Sequence, residues 1–168
     1  MDLSKIKPRC VRALLSVLLS SFLGIFLSMS VTGFFGGSGG NGVRIVASVL
    51  TVGLLCVFLG NCGLKDADED KKGVKPGIAT PLLVSCAASV PAVLSYIVLI
   101  AARGTSGGAY RIFKFVNGWA FQICNLINRS ASSADLTSSQ TALLGTLIIV
   151  PPLVYWGFYL GALLKKEA

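Results

Sequence analysis

The chain contains no histidine, and four of its stretches contain no charged residue of any kind. These are residues 13–35, 45–64, 78–102 and 141–164. At about 1.5 Å rise per residue, each is long enough to cross a hydrocarbon layer of about 30 Å. Charged residues are only 13% of the chain, against about 25% in soluble domains. The expected fold is all-α: a polytopic membrane bundle of four transmembrane helices in one integral membrane domain over residues 1–168. The same absences narrow the chemistry. Ionisable groups inside a membrane ordinarily mark proton relays, ion paths and substrate counter-ions, and these stretches have none.

Catalysis and metal binding are poorly provided for. Without histidine or an embedded carboxylate there is no evident general base, and a serine nucleophile needs one. Cys10, Cys56, Cys62, Cys86 and Cys124 include no CxxC pair, so neither a zinc site nor a thiol–disulfide oxidoreductase is indicated. A small multidrug exporter would require a membrane glutamate, which is missing. No catalytic, cofactor or metal residue is therefore expected. Cys10, in the basic segment before the first span, occupies a position where palmitoylation occurs.

The basic residues that are present sit at the ends of apolar runs. The formal charge of +8 is thus a headgroup-anchoring and topology signal, and no nucleic-acid partner is expected. Lys5, Lys7, Arg9, Arg12, Lys65, Lys71, Lys72, Lys75, Lys165 and Lys166 fall on one side of the threading. Arg44, Arg103, Arg111, Lys114 and Arg129 fall on the other. The positive-inside rule then places both termini and residues 65–75 in the cytoplasm of a multi-pass cell-membrane protein. The first apolar run is too long for a cleaved signal and lacks an A-x-A site, so it reads as a retained anchor.

The connections are short, with one exception. Residues 65–75 mix Lys65 and Lys71 with Asp66, Asp68, Glu69 and Asp70, and read as a solvated loop of balanced charge. The calcium-loop pattern is absent from it. Gly37, Gly39 and Gly42 match G-x-G-x-x-G, but between two membrane helices this is a flexible turn, not a nucleotide fingerprint. Residues 103–140 are the long connection. Within it, residues 110–128 show helical spacing, with Ile112, Val116, Trp119 and Ile123 on one face and Lys114, Gln122 and Asn125 on the other. An amphipathic helix lying in the interface is expected, anchored by Arg111, Lys114, Phe115 and Trp119. A re-entrant course, with Gly118 permitting a bend, is the alternative. Thr137 and Gln140 form a capping-box pattern that starts the last span.

Small residues recur where membrane helices would pack. The first span carries Ser16, Ser20, Gly24, Ser28 and Thr32, one every fourth position. The last carries Gly157 and Gly161 in a G-x-x-x-G. Such spacing lets backbones approach closely, and packing within the bundle is the expected use, ahead of a seam with a second copy. Pro91 lies mid-way along the third span, and Pro151 with Pro152 lie within the fourth. Each proline removes a backbone donor and is expected to kink its helix.

Residues 72–80 (KGVKPGIAT), residues 110–117 (YRIFKFVN) and the run Tyr155 to Gly161 (YWGFYLG) carry a resemblance to a known group. In them the chain resembles an uncharacterised group of small four-span membrane proteins from Gram-positive anaerobic bacteria. The resemblance implies a bacterial cytoplasmic membrane, hence no glycan on the Asn128-Arg129-Ser130 sequon, and implies no activity.

The functional expectation is a non-enzymatic membrane component, an accessory or assembly subunit acting through helix packing. Its partners would be the bilayer and either other membrane subunits or a second copy. The alternative is a small channel-like or carrier permeation protein using the proline-bearing third and fourth spans.

Overall fold

A computed structural model describes residues 3–35, 40–72, 79–105 and 107–165. All regular structure among them is helical. Helix α1 (Leu3–Phe34) and α2 (Asn41–Lys71) form an antiparallel pair, and α3 (Ala79–Ala101) packs against α1. The last span is built from α6 (Ser138–Thr146), a 3-10 turn (Leu147–Ile149) and α7 (Val150–Leu164), which lies beside α2. Four units, Ile6–Phe34, Asn41–Lys71, Ala79–Ala101 and Ser138–Leu164, are long and apolar enough to cross a membrane. The chain is a multi-pass helical membrane protein.

Local chemistry accounts for the breaks. Pro151 and Pro152 lack amide hydrogens, and the helix tightens into the 3-10 turn just before them. Pro91 is accommodated differently: α3 continues through it as helix, and Pro91 cannot donate to the carbonyl of Ala87. At the start of α6 the Thr137 hydroxyl accepts the Gln140 amide while the Gln140 side chain accepts the Thr137 amide. The expected capping box is thus present.

Two short helices, α4 (Ala109–Val116) and α5 (Phe121–Ile127), occupy the long connection, joined through Asn117 and a 3-10 turn at Gly118–Ala120. They differ from the single two-faced helix expected over 110–128. Asn117 leaves helical geometry at φ −100° and ψ 45°, and the chain doubles back there. The start and finish of the connection are tied together, because the Ser133 hydroxyl donates to the carbonyls of Thr105 and Gly107. The pair is therefore a hairpin that enters and leaves at one end of the bundle. The hairpin contributes Trp119, Tyr110 and Phe113 to the core, in which Leu55 and Val17 are also buried.

Candidate functional site

Three arrangements distinguish the bundle: the hairpin tip, a charged cluster at the opposite end, and a glycine-bearing face of α7.

The hairpin tip meets α1 at backbone contact. A side-chain carbon on Gly118 would overlap the Ser21 carbonyl and Ile25, and one on Gly24 would lie 2.8 Å from the Gly118 carbonyl. Glycine is required on both sides of this contact. Gly24 is the midpoint of the charge-free stretch 13–35, about 16 Å of helix from either end. The tip thus packs level with the middle of that stretch of α1, inside the bundle. Its polar backbone is satisfied locally: the Asn117 side-chain amide donates to Ser95 Oγ and the Phe113 carbonyl, each at 3.0 Å.

Lys114 holds the two legs together. Its ammonium donates to Asn125 Oδ1 at 2.8 Å and to the carbonyls of Asn128 and Ser130 at 3.0 and 2.7 Å. It also sits 4.2 Å from the centre of the Tyr110 ring, whose hydroxyl reaches the Cys124 carbonyl at 2.7 Å. Two expected interfacial anchors are therefore corrected. Lys114 (5% exposed) and Trp119 (0%) are enclosed by protein, as is Gln122 (4%), which was expected to meet water. The α4–α5 break folds the polar face inward as a bond network instead of presenting it to headgroups. Arg111 and Phe115 do lie on the exposed side of α4.

At the other end, the expected solvated loop is also corrected. Residues 65–71 continue α2 as helix, whereas 73–75 lie outside the described residues. Asp66, Glu69 and Asp70 fall at i, i+3 and i+4, so they share one helical face, and that face meets Arg9 and Arg12 of α1. Arg9 pairs with Glu69 and Asp70, each at 2.9 Å, and Arg12 pairs with Asp66. From α7, the Tyr155 hydroxyl donates to Asp66 at 2.7 Å and the Tyr159 hydroxyl to Asp70 at 2.9 Å. Asp66 is wholly buried and Arg9 nearly so. Three helices are cross-linked by one ionic network.

The packing residues divide into two sets. In α1, Ser20 and Ser28 are buried, Ser16 lies 3.1 Å from the Cys62 sulfur of α2, and Thr32 donates to the Ser28 carbonyl. With Gly24 they form the inward face of α1. Gly157 and Gly161 behave oppositely: a side-chain carbon on either would meet nothing within 4 Å. Among the described residues, nothing in the bundle packs on this pair. The α2–α7 contact runs over Gly60 and Gly63, where an added side-chain carbon would lie 2.7 Å from the Phe158 ring and from the Tyr155 carbonyl, respectively. Gly157 and Gly161 line a groove of about 570 Å³ on the outer surface, between Leu64 and Asp68 of α2 and Leu153, Val154 and Ala162 of α7.

The fold and its sites define a polytopic helical membrane protein with a short helical hairpin packed among its long helices. No family model, curated protein or solved structure matches the chain.

Proposed function

We propose that the protein is a non-enzymatic subunit of the cell membrane that works by helix packing, docking a second copy on the outer face of α7. The observation that carries this reading is the open space at Gly157 and Gly161, at the spacing that lets two membrane helices cross closely. The groove's rim carries Asp68 on α2 and Lys71 and Lys165 at the same end. A two-fold axis along the membrane normal keeps depths equal, so Asp68 of one copy meets the lysines of the other, as a self-complementary interface requires. The serine hydroxyls fit a packing role: Ser20, Ser85, Ser89 and Ser95 are committed to carbonyls three or four residues back. Both termini and residues 65–75 face the cytoplasm in this reading, following the lysine and arginine count.

Cysteine cross-linking in a cysteine-free background tests it. Gly161→Cys should form a covalent dimer in native membranes, and Phe22→Cys, exposed on α1, should not. Equal cross-linking at the two positions would remove the reading.

The hairpin, read as re-entrant, favours a second reading, a small channel-like or carrier permeation protein with the proline-bearing α3 and last span beside it. Irregular backbone at that depth must line a cavity or be buried in protein. Asn117 and Trp119 are enclosed, which keeps the subunit reading first. Selective solute flux by the purified protein in liposomes would reverse that order.

A further inference from the structure

The hairpin end of the bundle carries an imbalance that the packing role does not use. Its cations are Arg44, Arg103, Arg111, Lys114 and Arg129, and the one carboxylate among its described residues, Asp135, accepts from Ser130. Two cavities open there side by side. One, of about 380 Å³, lies between the end of α1, the start of α2 and α5, and is lined by Met29, Arg44, Gln122 and Asn125 among others. The other, of about 240 Å³, lies in the mouth of the hairpin and is lined by Arg111, Lys114 and Arg129. Phe121 and Asn125 line both. Arg44 Nη1 is buried and has no hydrogen-bond partner among the described residues. A buried donor left unpaired is costly, and a guanidinium is shaped to meet two oxygens of one anion at once.

We propose that these adjoining cavities bind one oxyanion, a phosphate or carboxylate group, held between Arg44 and the Arg111 and Arg129 guanidiniums, with Lys114, its three donors spent inside the hairpin, adding charge alone. The anion supplies the acceptor that Arg44 Nη1 lacks, and the neighbouring cations and the Gln122 and Asn125 amides complete the shell. Met29, Phe115 and Phe121 make the walls apolar on the side toward lipid, so the same group can arrive on a phospholipid headgroup or as a free solute. The site is independent of the α7 face, which lies toward the other end of the bundle.

Calorimetric titration of the whole protein in dodecyl maltoside, which carries no phosphate, tests the proposal with two probes, inorganic phosphate and soluble dihexanoyl-phosphatidylglycerol. Saturable one-to-one binding of at least one probe is expected. Binding of both supports a free-anion site, and binding of the lipid alone supports a headgroup site. Arg44→Gln should weaken it at least tenfold and Arg44→Lys should recover part of the loss. Arg103→Gln removes a charge at the same end but outside both cavities, and should leave binding unchanged. Circular dichroism of Arg44→Gln should match wild type, since Arg44 Nη1 bonds to none of the described residues. Absence of saturable binding by either probe, or equal weakening by Arg44→Gln and Arg103→Gln, would overturn it.

Discussion

Tyr155 of α7 donates its hydroxyl to Asp66 of α2 at 2.7 Å, at a carboxylate wholly closed off from solvent. Arg12 of α1 pairs with the same carboxylate, so a single side chain joins three of the helices. Removing one partner of a buried pair is far more damaging than the pair's net worth, because the remaining charge stays desolvated.

Asp66→Ala leaves Arg12 about one-third exposed and 3.5 Å from Glu69, and leaves Arg9 with Glu69 and Asp70, so it should lower unfolding stability by at most about 3 kcal/mol, the low end for a broken buried pair. Tyr155→Phe deletes one bond to a charged acceptor and should cost about 1.5–3 kcal/mol. The double variant should lose less than the sum, because both act on one carboxylate. Denaturant titration in micelles followed by circular dichroism reads all three. An Asp66→Ala protein as stable as wild type would mean that the network contributes nothing.

Gly118 predicts a local failure instead of a global one. Gly118→Ala must push α1 and the hairpin tip apart, an overpacking penalty of about 1–3 kcal/mol. The spans insert on their own hydrophobicity and should persist. Cys124, wholly buried in α5, should resist maleimide at neutral pH when it is the sole cysteine. Adding Gly118→Ala should make it react. Continued protection of Cys124 would show that the tip tolerates a side chain there.

Trp119 should report the depth of the hairpin directly. With Trp156→Phe leaving a single indole, quenchers placed at graded depths on lipid chains should act most strongly near the bilayer centre. Maximal quenching at headgroup depth would return the segment to the interface.

The sequence shows why some of this was legible and some was not. Four charge-free stretches and a Thr137–Gln140 capping box depend on local composition, and each appears where expected. The face formed by Asp66, Glu69 and Asp70 was also present as an i, i+3, i+4 spacing, matched by Arg9 and Arg12 at i, i+3. Lys65 and Lys71 beside it gave the appearance of a balanced loop, and only the antiparallel α1–α2 pairing reveals the match. The hairpin had one local signal, Asn117-Gly118 interrupting an apolar face. Its depth depends on Gly118 meeting Gly24, a tertiary contact that neither segment encodes alone. G-x-x-x-G likewise states closeness without stating a partner. Gly24 found one inside the bundle, and Gly157 and Gly161 found none among its described residues.

Self-association through α7 is the central claim, and energy transfer in lipid vesicles measures it. Donor- and acceptor-labelled copies are reconstituted over a range of protein-to-lipid ratios. Wild type should show transfer that saturates as the protein fraction rises, following a monomer–dimer equilibrium. Gly157→Ile with Gly161→Ile fills space that no described residue of the same copy occupies, so the fold and thermal stability should be retained while transfer falls to the level of random proximity. A double variant that associates as well as wild type, or wild type that shows random proximity alone at every ratio, would contradict the account.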